Sequence, residues 1–164
     1  RARIDTFLQN WLTMRAREQI AAKHLYDRFT KRMTSETAAV GETAKTDVAG
    51  VMADIKANAE RFREINAPTG KTRFDTFLRR LQTLDLGVLH PFLIAVMGRA
   101  ASDQADKDQI GRILESYLVR RMVGGYNTRG YNALAISLLG ALHDAGSTGP
   151  AAPAILALLS KTDC

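Results

Sequence analysis

The chain has 164 residues, 46% of them hydrophobic and 24% charged, the ordinary range for one globular domain around one continuous core. Its formal net charge is +6 with a sequence pI near 9.8, and sixteen arginines outnumber seven lysines, a balance that favours anionic partners and, through the planar guanidinium fork, phosphates. A single cysteine, Cys164, excludes an internal disulfide and a cysteine-rich metal site, and no apolar run approaches the roughly twenty residues of a membrane span.

Charged and apolar residues alternate from the first positions and do not resemble a secretory signal, so a cytoplasmic location is the expectation. The start at Arg1-Ala2-Arg3 without a methionine, and the stop just past an apolar run at Lys161 to Cys164, read as a fragment of a longer multidomain protein.

Along the chain the periodicity is helical. Ile4, Phe7, Leu8, Trp11 and Leu12 recur at three- and four-residue steps and predict a helix opening near Ala2. The charged stretch from Met14 to Gln19 reads as a short connection, and Leu25, Phe29 and Met33 mark a second helix of about three turns. Residues 34–45 are small and polar, hold Gly41 and lose the apolar stripe, which predicts a flexible loop. Thr46 or Asp47 then caps a long helix through Val48, Val51, Met52, Ile55, Ala59 and Phe62, closed near Ile65 by Pro68 and Gly70.

Phe74, Phe77, Leu78, Leu81 and Leu84 define the next helix. Val88 to Ala100 is strongly apolar and reads as the central helix, with Pro91 tolerated in its first turn. Asp106 with Gln109 three residues on reads as a capping box before the stripe Ile110, Ile113, Leu114, Tyr117 and Leu118, which ends at Gly124-Gly125. Tyr131 to His143 forms another helix, and residues 146–153 read as a Gly/Pro-rich linker to a last short helix, Ala154 to Ser160. No β-type alternation and no fixed repeat period occur, so the predicted fold is a single all-α domain, an irregular bundle of about seven to eight helices.

Local motifs for catalysis are weak. Thr69-Gly70-Lys71-Thr72 matches the end of a phosphate-binding P-loop, but the required glycine five residues earlier is Ile65, and a helix rather than a strand precedes it. His24, His90 and His143 stand alone in their segments, without the clustering that metal ligation needs. Ser116 and Ser137 lack a nucleophile-elbow context, and Asp103, Asp106 and Asp108 cluster where a helix N-terminus favours negative charge. No catalytic residue, metal site or cofactor is therefore expected in this chain.

The richest segment runs from Glu115 to Asn132. Arg120 and Arg121 in a last helical turn, followed by glycines, Tyr126, Asn127, Arg129 and Tyr131, form a basic, hydrogen-bonding corner suited to a nucleic-acid backbone. The same residues equally suit a structural role: arginines on terminal carbonyls, a glycine in the left-handed cap, and tyrosines packed beside the turn.

Leu114-Glu115-Ser116-Tyr117-Leu118-Val119-Arg120-Arg121, with Gly124 and then Tyr131-Asn132, resembles the "E-S-(Y/F)-L-x-R-R" helix and downstream "Y-N" of the GmrSD-type restriction-endonuclease family. Phe7-Leu8 and Trp11-Leu12 resemble a family helix carrying the same pairs, and Leu25 to Phe29 and Leu89 to Leu93 resemble later family segments, in the family's order. The resemblance implies the helical middle region of a bacterial anti-phage restriction protein with a ParB-like nuclease or NTPase domain before it and often an HNH-type nuclease after it. Neither the Asp-Gly-Gln-Gln-Arg-type motif of the first nor an HNH signature occurs in this chain. The chain alone is thus not expected to be an enzyme, and its expected partners are DNA and the flanking domains, with self-association open. Arg120, Arg121, Arg129 and Asn127 are the candidate DNA contacts, while Tyr117, Tyr131, Asn132 and Trp11 match the family pattern only. The alternative is a protein–protein interaction or architectural module without nucleic acid.

Overall fold

The computed structural model describes residues 2–38, 48–126, 128–146 and 148–162, and over them the apolar periodicity becomes eight α-helices with no strand. These are α1 (Ala2–Ala16), α2 (Leu25–Ala38), α3 (Val48–Asn66), α4 (Arg73–Thr83), α5 (His90–Gly98), α6 (Gln104–Val123), α7 (Tyr131–Asp144) and α8 (Ala152–Ser160). Short 3-10 turns at Ala22–His24, Gly87–Leu89 and Thr128–Gly130 lead into α2, α5 and α7. The all-α bundle read from the sequence is the observed architecture.

A helix that is apolar on every face must be surrounded. α5 is: Phe92, Leu93, Ile94 and Val96 are fully shielded, with α1 and α3 packed on it and α7 against it as well. Each such side chain contributes about 1.5 to 3 kcal/mol relative to exposure. Pro91 falls in the first turn of α5, where its missing N–H leaves no intrahelical bond unmade. Around this helix the principal core runs from Ile65 through the inner faces of α4, α6, α7 and α8. A second, smaller cluster gathers Phe7, Trp11, Leu12 and Ile20 with Phe29 of α2 and Ile55 of α3. Met14 and Phe62 touch both clusters.

α4 packs directly along α6. A Cβ placed on Gly111 would lie 3.3 Å from Phe74 and Phe77, so the absence of a side chain there lets the aromatic pair sit on the α6 backbone. Across the same interface Glu115 of α6 accepts from both Arg73 and Arg80 of α4, and Asp108 accepts from the Phe74 amide at 2.9 Å.

Helix ends depart from the sequence reading where tertiary contacts decide them. α1 continues through Met14 and Arg15 to Ala16, where Arg17 takes a positive φ of 54° and its amide bonds to Thr13, closing the helix. α2 extends to Ala38, so 34–38 is helix and not loop; 39–47, including the proposed caps Thr46 and Asp47, lie outside the described residues. The cap of α6 is Asp103, which accepts from the Asp106 amide at 2.8 Å, and Asp106 is free for another task. Its buried carboxylate accepts from the amides of Ala151 and Ala152 at 3.1 and 2.9 Å, which starts α8 at Ala152, two residues earlier than its apolar run suggests.

Candidate functional site

The Arg120–Arg121 corner is built by the way α6 ends. Gly125 has a φ of +70°, a conformation that costs a residue with a Cβ about 1 to 2 kcal/mol. That turn lets the Gly125 amide reach Met122 and the Tyr126 amide reach Arg121, the double closure of a Schellman motif. The motif usually brings an apolar pair together across the turn; here the pair is Tyr126 and Arg121, with the guanidinium carbon 4.9 Å from the ring centroid. Tyr117 and Tyr131 complete the enclosure at 5.8 and 5.5 Å, and the Tyr117 hydroxyl lies 3.3 Å from Nη1. Burial opposes the charge of Arg121, but the hydroxyls of Tyr117 and Tyr131 outweigh it and raise the pKa. Arg121 is therefore a half-buried cation held among three rings.

Its neighbour Arg120 turns the other way. Arg112, Ser116 and Arg120, spaced by four residues, form one exposed row on α6, and with Leu156, Leu159 and Thr162 they line a groove of about 580 Å³ against α8. No carboxylate lines this groove among the described residues. Arg129 is exposed in the 3-10 turn after the corner, and Asn132 is exposed at the start of α7. Asn127 lies outside the described residues. Tyr117 and Tyr131 are buried, and Trp11 sits in the smaller core cluster with its indole N–H donated to Asp54 at 2.9 Å. The structure thus brings Tyr117, Arg121 and Tyr131 together and leaves Trp11 apart from them.

The larger cavity was not signalled by any motif. It encloses about 770 Å³ where α1, α5 and α7 end beside the middle of α3. Four arginines border it: Arg15, Arg17, Arg61 and Arg99. Asp54 is the acid on its wall; burial pushes that carboxyl up, but the Arg15 and Trp11 hydrogen bonds and the Arg15 charge hold its pKa below the ordinary value. Asn58, almost fully buried, donates to the Asp54 carboxylate at 2.9 Å and accepts from Arg61 at 2.9 Å. The available signal was the polar row Asp54, Asn58, Arg61, which recurs at helical spacing inside an otherwise apolar face of α3.

Comparison with protein-family models, curated proteins and solved structures returned no match. The chemistry must be read from the side chains alone. The P-loop-like loop is closed on itself: Asp75 accepts from the Thr69 hydroxyl at 2.7 Å and from the Lys71 amide at 3.1 Å, so the helix's own carboxylate occupies the place a phosphate takes in that motif. No group of three or more histidine, cysteine or acidic side chains is placed to hold a metal among the described residues, and no described helix is long and apolar enough to cross a membrane. Ser116 and Ser137 are exposed helix residues, and His90 is engaged edge-on with the Phe62 ring at 5.4 Å, where burial lowers its pKa. Among the concavities that the described residues form, the groove against α8 and the cleft beside α3 are bordered by two or more arginines and suit the binding of anions, as does a smaller one beside Arg28 and Arg32 that also holds Glu18.

Proposed function

We propose that this chain is a non-catalytic helical scaffold of a DNA-directed defence protein, joined to nuclease or NTPase modules, and that it contacts the DNA backbone along the groove between α6 and α8. The observation that carries the contact is the acid-free row Arg112, Ser116 and Arg120, two guanidinia and a hydroxyl exposed along two turns of one helix, roughly 12 Å. Arginine forks and hydroxyls are the groups that most often position a phosphodiester backbone, without reading its sequence. Arg129 on the neighbouring turn adds a further exposed cation, and Arg121 shapes the corner from within. The ordered resemblance of Glu115 to Arg121 and of Tyr131-Asn132 to the GmrSD-type pattern supports the defence context, and the family-like tyrosines are the ones that enclose Arg121.

The test is the salt dependence of duplex DNA binding by the chain. Phosphate neutralisation releases counterions, so the affinity falls steeply with salt, and removing one cation from the phosphate backbone lowers the slope of log K against log salt by about 0.9. Arg112→Gln with Arg120→Gln is expected to weaken binding and flatten the slope on every sequence alike. Absent binding, or binding indifferent to both substitutions, removes the DNA contact.

A second reading, a protein–protein or architectural module without nucleic acid, draws support from Val119, Met122 and Val123. These are exposed on α6 beside an apolar groove of about 370 Å³ against α4. Failure of DNA binding together with concentration-dependent self-association, abolished by Met122→Glu, favours that reading.

A further inference from the structure

We infer that the cleft where α1, α5 and α7 end beside α3 is a binding site for a small organic phosphate, independent of any DNA contact on the α6–α8 groove. Its volume of about 770 Å³ lies within the range of small-molecule sites, roughly 300 to 1,000 Å³. Its lining combines apolar side chains, of which Met14 is more accessible than Ile94, Leu139 and Leu142, and guanidinium groups. That combination fits a molecule with an apolar or planar body and a doubly charged head.

The arginines are not equivalent. Arg15 is engaged by Asp54. Arg99 donates to the Gly146 carbonyl at 2.6 Å and lies 4.0 Å from Asp106, so it neutralises the end of α7 and a buried carboxylate. Two remain for a ligand. Arg61 uses one of its five donors on Asn58, and its guanidinium lies so close to Gly98 that a Cβ there would stand 3.1 Å from Nη1. Arg17 follows α1 in an exposed turn and makes no side-chain bond among the described residues.

The relay Asp54 to Asn58 to Arg61 holds the Arg61 fork before any ligand arrives. Asn58 is only 2% exposed, so the relay is shielded from water and its geometry is maintained by packing. A preorganised fork loses little freedom on binding, which is the condition for useful affinity from few contacts. The ends of α1, α5 and α7 oppose an anion, each with about half a negative charge at the helix terminus. Together they amount to about one and a half charges, against the two guanidinia, Arg17 and Arg61, that no carboxylate engages among the described residues. The balance remains positive and suits a phosphate monoester.

Isothermal titration of the chain with AMP, phenyl phosphate, adenosine and inorganic phosphate tests this. AMP or phenyl phosphate is expected to bind with one site per chain, adenosine not measurably, and inorganic phosphate more weakly than the organic phosphate. Arg61→Gln and, separately, Arg17→Gln each weaken binding by about tenfold or more, as loss of a charge-assisted hydrogen bond does. Arg112→Gln with Arg120→Gln leaves it unchanged. Arg17 is exposed and belongs to neither apolar cluster, so its variant tests the site even where Arg61→Gln perturbs α3. The inference is overturned by absence of saturable binding of either organic phosphate at millimolar concentration, by binding that both cleft variants leave intact, or by inorganic phosphate binding as tightly as AMP.

Discussion

Asp106 offers the sharpest test of how this bundle is held. Its carboxylate, almost wholly buried, accepts from the Ser102 hydroxyl at 2.7 Å and from the Ala151 and Ala152 amides, and it faces Arg99 at 4.0 Å. Asp106→Ala leaves three buried donors unanswered, at about 1 to 3 kcal/mol each before the structure relaxes around them. It also strips Arg99 of its carboxylate, and breaking a buried pair from one side costs about 3 to 5 kcal/mol in all. For a chain of this size 1 kcal/mol shifts the melting temperature by about 2 to 4 °C, so a fall of about 6 to 20 °C is expected by far-UV circular dichroism.

The pH dependence has a definite sign. Burial pushes the Asp106 pKa up, but the Ala152 and Ala151 amides, the Ser102 hydroxyl and the Arg99 charge outweigh it, so the folded value lies below the ordinary 3.8. The ionised carboxylate therefore contributes its full stability above the unfolded pKa of about 3.9 and loses it as the pH falls through the folded value. Asp106→Asn removes that titration, so its deficit relative to the parent chain shrinks below about pH 4. A melting temperature of Asp106→Ala within about 2 °C of the parent, or a deficit of Asp106→Asn unchanged from neutral pH to pH 3, refutes the reasoning.

Two further expectations rest on single contacts. Trp11→Phe keeps the ring in its cluster but deletes the indole N–H donated to Asp54, a hydrogen bond to a charged group worth about 1.5 to 3 kcal/mol in urea unfolding; no loss in the urea midpoint contradicts the role given to Asp54. Gly111→Ala places a methyl 3.3 Å from Phe74 and Phe77 and is expected to cost about 1 to 3 kcal/mol through overpacking, opposed in part by the better helix propensity of alanine. A stabilised variant means that α4 and α6 separate without strain.

The fold was legible where an apolar stripe survives in one helix, although Ile4 and Met52, read into the stripes of α1 and α3, are exposed. Phe74, Phe77, Leu78 and Leu81 are all buried on α4, and the uniformly apolar Phe92 to Val96 segment lies at the centre. What was not legible are the residues whose partners are distant in sequence. Asp106 and Gln109 fit a capping box by spacing, yet Asp103 caps α6 because Asp106 is drawn to amides 45 and 46 residues away. The candidate corner divides in the same manner: sequence places Arg120 and Arg121 side by side, while the turn of about 100° between successive helix positions points one at a groove and the other at three rings. Of the arginine cleft only the polar row Asp54, Asn58 and Arg61 on α3 left a trace in the sequence, since Arg17, Arg61 and Arg99 come from three segments with no shared motif.

The division of the interior into two clusters has a kinetic consequence. α2 and one face of α1 rest on the smaller one, which among the described residues has four buried apolar residues against twenty-five in the principal core. Stability in a domain is distributed unevenly, and a weakly supported unit opens before the whole unfolds. α1 also supplies Met14, Arg15 and, just beyond it, Arg17 to the arginine cleft. Detachment of α1 would dismantle one wall of the cleft and uncover the side of α5 on which it packs. Amide exchange in α1 thus reports both the local opening and, through its suppression, anything that occupies the cleft.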